Sequence, residues 1–312
     1  MDSKRIGYIG NWGPSHSTEN HRAWGFRELG HEVREFQENG TLARDLMAAM
    51  PDLDLLLYSH THDPNYNIKG LVDVFIEYER AGVPTGSAHL DRWLWLARER
   101  DMGVEATWFT KYLWMADMSP EMVEKLEVLG IRDRAHYLQP GVHAAECYQA
   151  EPDHDQFPHP IVFVGSKGYH PEYPWRPEMV DKLHRTYGDD FGHYGGGGIC
   201  NLRGHDLNVL LATAEVVVGD TCFGGRPNYV SDRYYETRGR GGFLLHPHVE
   251  GVDHVGVGHY EPCDFDSLRD QIDYYRANEG EREAMRYLGH WEVKEHGTYT
   301  NRGQQILETI FE

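Results

Sequence analysis

Asn228-Tyr-Val-Ser-Asp-Arg-Tyr-Tyr-Glu236, followed by Thr-Arg-Gly-Arg-Gly-Gly and then Phe243-Leu-Leu245, is the stretch that decides the fold class. Ser231 is a good helix N-cap, and a helix begun there leaves backbone N–H groups free to meet an anion. Arg233 falls in the first turn and offers a charged fork to a phosphate. Glu236 lies three positions on, on the same helical face, where a carboxylate can accept from both hydroxyls of a ribose. Gly239, Gly241 and Gly242 stop the helix before the apolar run 243–245. An ordinary capped helix with a surface Arg/Glu pair accounts for the same residues.

The neighbouring sequence repeats this helix-then-strand pattern. Glu215-Val-Val-Val218 reads as a buried strand ending at Gly219-Asp220, and Asn208 to Ala214 as the helix before it. Further upstream come a strand at Ile161-Val-Phe-Val164 ending in Gly165-Ser-Lys-Gly168, a helix over 176–187, and a strand from Phe191 into the glycine cluster 195–198. The first half has strands at Lys4–Gly10, Val33–Phe36 and Leu53–Tyr58, with helices around Trp24–Leu29 and over 71–80. Short apolar strands alternating with helices imply parallel β-α units. The Pro-, Asp- and His-rich stretch 150–160 reads as a linker. The expectation is an α/β protein of two Rossmann-like, doubly wound domains facing a cleft. They span 1–150 and 151–285, and 286–312 includes a C-terminal helix crossing back to the first domain. Ligands in such sheets bind beyond the carboxyl ends of the strands.

A length of 312 residues, 40% of them hydrophobic, is enough for two cores. No apolar run reaches the roughly 18 residues that span a bilayer, and the first residues carry no signal-peptide apolar region. A cytoplasmic protein is expected, in the host cytoplasm if it is of phage origin, with no membrane partner. Cys147, Cys200, Cys222 and Cys263 form no C-x-x-C pair and read as free thiols. The formal charge of -20 disfavours nucleic acid at long range but not a nucleotide held by a few local donors.

The run from Val218-Gly-Asp through Ser231-Asp-Arg-Tyr-Tyr-Glu236 and Gly241-Gly-Phe-Leu-Leu245 resembles the CgeB-type, spore-maturation-like glycosyltransferases of the GT-B superfamily. The resemblance continues through Tyr260, Ile272-Asp-Tyr-Tyr275 and Glu281-Arg-Glu-Ala284 to Gly289 and His296-Gly-Thr-Tyr-Thr-Asn-Arg302. It covers Ile161 onward well and the first half loosely. It implies that Glu236 holds the nucleotide ribose and that Lys167, Arg176 and Arg233 hold the diphosphate. Gly165, Asp220, Ser231 and Asp232 lie beside them. Related retaining enzymes often carry an acid eight positions before the ribose glutamate, where this chain has Asn228. The resemblance also places the loop Gly10-Asn11-Trp12-Gly13 close to the donor phosphates. By itself that loop reads equally as a tight turn, since Trp12 and Pro14 interrupt any dinucleotide fingerprint.

Transfer to a hydroxyl needs a base or a group that stabilises an oxocarbenium-like transition state. The candidates follow strands of the first domain: Asp91 and His89, then His62, with His60 and Asp63 beside it. The pairs His60/His62 and His246/His248 have zinc-compatible spacing but no evident third and fourth ligands, so no catalytic metal is expected. The nucleotide-sugar is a co-substrate, and no cofactor is implied. The expected activity is transfer from a nucleoside-diphosphate-sugar, UDP-sugar favoured, to an unknown hydroxyl acceptor. DNA carrying hydroxymethylated bases is one alternative acceptor, with Arg92, Arg98, Arg100 and Lys111 as a basic face. A non-catalytic nucleotide-sugar-binding or assembly protein and an epimerase are the others.

Overall fold

The computed structural model describes residues 1–60, 68–102, 105–168 and 170–312. The chain divides into two compact units, Met1–Gln139 with Tyr299–Glu312, and Pro140–Thr298. In chain order the first holds β1 (Arg5–Gly10), α1 (Thr18–Glu28), β2 (Glu32–Gln37), α2 (Ala43–Ala49), β3 (Leu55–Tyr58) and α3 (Leu71–Arg80). It continues with β4 (Thr85–His89), β5 (Tyr112–Met115), α4 (Pro120–Val128) and β6 (Ala135–Tyr137). The sheet is parallel, in the order β2-β1-β3-β4-β5-β6. Successive side chains of a strand point to opposite faces, and both faces here are covered. Ile6, Tyr8, Leu55 and Leu57 enter one apolar layer with Phe26 of α1, while Ile9, Leu56 and Tyr58 enter the other with Phe75 of α3.

The second unit holds β7 (Ile161–Val164), α5 (Trp175–Tyr187), β8 (Phe191–Tyr194), α6 (Gly204–Thr213), β9 (Val216–Val218) and α7 (Arg233–Gly239). It continues with β10 (Leu244–Pro247), β11 (Val257–Tyr260), α8 (Phe265–Ala277) and α9 (Glu279–His296). Its sheet is also parallel, in the order β11-β10-β9-β7-β8. In each unit the first and third strands are therefore neighbours, and the connections leave that pair in opposite directions. This is the topological switch point, where an open α/β sheet presents its ligand crevice.

The change-over between the units lies upstream of the Pro/Asp/His-rich stretch. The Val142 amide donates to Gly297 O (3.0 Å), and Asn208 Nδ2 donates to the carbonyls of Glu146 and Tyr148. These bonds tie 140–150 to the second unit. The last helix, α10 (Tyr299–Phe311), belongs to the first unit and lies along α1. Gly25 permits the close approach, since a Cβ there would sit 2.9 Å from Thr300 Cα. Ile306 and Leu307 are fully buried with Phe26 and Trp114, and each such side chain contributes about 1.5–3 kcal/mol. Among the described residues, no helix is long and apolar enough to cross a membrane. The four cysteines are free thiols.

Candidate functional site

In the second unit the switch point lies between β7 and β9. Asp220 follows β9 and is almost fully buried, accepting from Tyr173 Oη and from Arg176 Nε of α5, each at 2.9 Å. Burial raises the Asp220 carboxyl above the ordinary carboxylate range, and the Arg176 charge opposes that rise. Asp220 thus fixes Arg176 in place. Arg233 closes over the loop after β7, so closely that a Cβ on Gly165 would lie 2.5 Å from its Nε. Gly165 also sits at φ 145°, a backbone region disfavoured for L side chains. The glycine cluster folds onto the same loop, with Gly165 N donating to Tyr194 O and Lys167 N to Gly196 O.

Three polar groups at this point find no partner among the described residues. The Arg233 guanidinium has no hydrogen-bond acceptor among the described residues, and burial and then the Arg176 charge lower its proton affinity. The hydroxyl of Ser231 is buried without a partner. Glu236 has no donor on its carboxylate among the described residues; burial, followed by repulsion from Asp232, raises its pKa. Unsatisfied buried polar groups are costly, and a cluster of complementary ones is a feature of sites completed by a ligand.

The expected cap is displaced by one residue. Asp232, not Ser231, occupies the N-cap of α7, its carboxylate accepting from the Arg233 amide at 2.9 Å. Lys167 is already ion-paired to Asp181 at 2.5 Å. Asn228 has φ 56°, and its amide donates to Glu250 O at 2.8 Å. Its side chain packs on Gly251, itself at φ 78°. Asn tolerates this left-handed geometry far better than Glu, so the backbone disfavours a glutamate here, although an aspartate would be tolerated.

In the first unit the switch point lies between β1 and β3. The loop Gly10-Asn11-Trp12-Gly13 is tied down locally. Trp12 N donates to Gln37 Oε1 (2.8 Å), Trp12 Nε1 to Phe36 O (3.0 Å) and Gly13 N to Asn11 Oδ1 (3.3 Å). His60 follows β3 and is held between two carboxylates, with Nδ1 3.2 Å from Glu38 and Nε2 3.2 Å from Glu105. Burial pulls the imidazole pKa down, but the two carboxylates overcome it and hold His60 at about 9. The ring is therefore a buried cation at neutral pH. Beside it, Arg22 of α1 is fully buried and donates to Tyr8 Oη (2.7 Å) and Ser59 Oγ (3.1 Å).

His89 ends β4 and accepts from Trp93 Nε1 at 3.1 Å. Burial, then the Arg98 charge, lowers it to about 3, so this ring is neutral. Asp91 is exposed and pairs with Arg98 at 3.1 Å. His62 and Asp63 lie outside the described residues. Two of the four residues of the expected basic face are taken up by carboxylates, since Arg92 is buried against Asp117 and Arg98 holds Asp91. Glu38, Glu105, Arg22 and Tyr173 were not singled out by sequence. Glu38 sits immediately after a strand, and that position was the available signal.

Residues 176–308 match the family described as glycosyl transferase-like. No curated protein matches the chain in sequence. Among solved structures, the chain is similar to HepE from Anabaena, crystallised with UDP and glucose, with TM-score 0.67 and 14% identity over 98% of this chain and 99% of that one. It is similar to a glycosyltransferase from Rickettsia africae, with TM-score 0.64 and 12% identity over 99% and 98%. It is also similar to T4 phage BGT in complex with UDP-glucose, with TM-score 0.61 and 10% identity over 99% and 100%. The chain therefore has the two-domain GT-B glycosyltransferase fold, and over residues 176–308 it carries the sequence pattern of the glycosyl transferase-like family.

Proposed function

We propose that the chain is a glycosyltransferase moving a sugar from a nucleoside-diphosphate-sugar, with UDP as the favoured nucleotide, to a hydroxyl acceptor. One observation carries this reading: Ser231, Arg233 and Glu236 present an unpartnered hydroxyl, cation and carboxylate at the switch point of the second sheet. A diphosphate satisfies the guanidinium beside Arg176, and the two ribose hydroxyls satisfy Glu236. That HepE and T4 phage BGT were crystallised with UDP or UDP-glucose supports the choice of nucleotide. The two arginines can neutralise the leaving diphosphate, so the reading needs no catalytic metal. A closer kinship with CgeB-type enzymes fits the order of motifs and forms part of the proposal.

The acceptor is taken on the first unit, with Asp91 as the base. It is the exposed carboxylate of the set, whereas His89 is neutral with low proton affinity and His60 is already charged. DNA is the second acceptor reading. The similarity to T4 phage BGT concerns the fold only, and the commitment of Arg92 and Arg98 to carboxylates weighs against a basic face. Calorimetry with UDP and with GDP tests the donor: binding that Glu236→Ala weakens supports it, and no binding of either refutes it. Product formation from UDP-sugar would separate an enzyme from a non-catalytic binding protein. A gel shift with hydroxymethylated duplex tests DNA.

A further inference from the structure

Three histidines outside the proposed donor contacts converge beside β10 and β11. His248 follows β10, His259 lies within β11, and His254 sits in the loop between them. The parallel register places His246 opposite His259. His248, two residues further along, therefore points to the same side and stands diagonally next to His259. The ring centroids are 4.6 Å apart for His248 and His254, 5.2 Å for His248 and His259, and 4.4 Å for His254 and His259. Each ring offers one nitrogen to a common point, and these nitrogens all lie within 4.8 Å of one another. No carboxylate is needed to complete the set.

The surroundings resemble a built ligand site. His259 Nδ1 lies 3.3 Å from His246 O, and His254 Nε2 lies 2.6 Å from Val249 O. A backbone carbonyl that accepts from one ring nitrogen fixes the tautomer and leaves the other nitrogen with its lone pair; at His259 that is Nε2, whereas at His254 the remaining Nδ1 lies 3.0 Å from Tyr234 Oη, a contact an ion would displace. His248 is exposed, so its side chain can turn to close the gap. Zinc–nitrogen bonds of about 2.0–2.1 Å in a tetrahedron bring the nitrogens to roughly 3.3 Å.

We propose that His248, His254 and His259 bind one divalent transition-metal ion, zinc by preference, with water completing the coordination. Three imidazoles without carboxylates favour zinc, nickel, copper or cobalt over magnesium or calcium. The ion would pin the loop between β10 and β11. That loop holds Asn228 through Glu250 O and meets α7 where Tyr234 Oη lies 3.0 Å from His254 Nδ1. The role is structural, and it stands whether or not the donor reading holds.

Cobalt(II) added to the metal-stripped chain of residues 1–312 is the probe, read by visible d–d absorption and by metal content after gel filtration. One cobalt per chain is expected, displaced by zinc. His248→Ala, at an exposed position, should keep the far-ultraviolet circular dichroism and weaken cobalt binding at least tenfold. His259→Ala should weaken it similarly, while His205→Ala, in another exposed histidine, should leave it unchanged. Zinc should raise the unfolding midpoint of the unaltered chain and not that of His248→Ala. Absence of stoichiometric cobalt, or equal binding by His248→Ala and by the unaltered chain, would overturn the assignment.

Discussion

Replacing His60 by glutamine, with its two carboxylates left in place, tests the charge assignment of the first unit. Glu38 has no exposed side-chain area, and in the variant it loses its counter-charge. Breaking a buried ion pair from one side costs about 3–5 kcal/mol. Proton linkage provides a second figure. The imidazole rises from an ordinary 6.5 to about 9, a difference worth about 3 kcal/mol. The side chain is only 6% exposed, so solvent screening removes little of this. Because the folded value lies above the unfolded one, the stabilisation is complete below about pH 6.5 and is lost as the pH rises through about 9. His89 and His246, both lowered to about 3 by burial, act in the opposite sense. Their contribution is complete above about pH 6.5 and is lost as the pH falls toward 3. Urea unfolding across this range, followed by tryptophan fluorescence, reads mainly the first unit, which holds Trp12, Trp24, Trp93, Trp95, Trp108 and Trp114, against Trp175 and Trp291 in the second. The unaltered chain should lose stability from pH 6.5 to 9. His60→Gln should start lower and lose little more. Adding Glu38→Gln should recover much of the loss by removing the carboxylate that faced the imidazolium. If His60→Gln matches the unaltered chain in both stability and alkaline slope, the buried-cation assignment is wrong.

Arg233→Ala should weaken UDP binding about 10- to 100-fold in calorimetry, the equivalent of losing a charged hydrogen bond of about 1.5–3 kcal/mol. Gly165→Ala should weaken it comparably by displacing the same guanidinium, while Lys167→Ala should have a smaller effect because Asp181 already holds that ammonium. Asp220→Ala leaves Arg176 buried without its counter-charge and should cost about 3–5 kcal/mol in thermal or denaturant unfolding. Asp91→Asn should lower kcat by about 10²- to 10⁴-fold, the usual scale for removing a general base, with donor Kd unchanged. An unchanged kcat would remove Asp91 from the mechanism.

The alternation of apolar strands and helices was readable because fully buried parallel strands are continuous apolar runs. Ile161–Val164 and Leu71–Arg80 are found at the bounds expected for them. Elements with weak patterns were not readable. The strand Val257-Gly-His-Tyr260 has only two apolar residues, and the helix Ala43–Ala49 is short and carries Arg44 and Asp45 in its first turn. The helix Pro120–Val128 carried a usable signal, Ser119 before a proline in the first turn, with Met122 and Leu126 buried four apart. On the donor side, the residues of one short segment, Ser231 to Glu236, could be recognised together. The rest of that site comes from distant positions, with Tyr173 and Arg176 meeting on Asp220. On the other side, Glu38, His60 and Glu105 are far apart in sequence and meet only because β2, β3 and the segment before β5 end at one edge. Spacing along a chain carries no record of such meetings.

The return of α10 to the first unit sets an order on the birth of the protein. Ile306 and Leu307 complete an apolar layer whose other members, from Ile6 to Leu138, leave the ribosome far earlier. At 5–20 residues per second, the wait between Gln139 and Tyr299 is roughly 10–30 s. During that interval one face of the nascent sheet lacks its final cover, and the second unit, contiguous from Pro140 to Thr298, is free to fold first. A released chain truncated just before Tyr299 would thus carry every residue of the second unit together with a first unit left unsealed, a natural client for a chaperone.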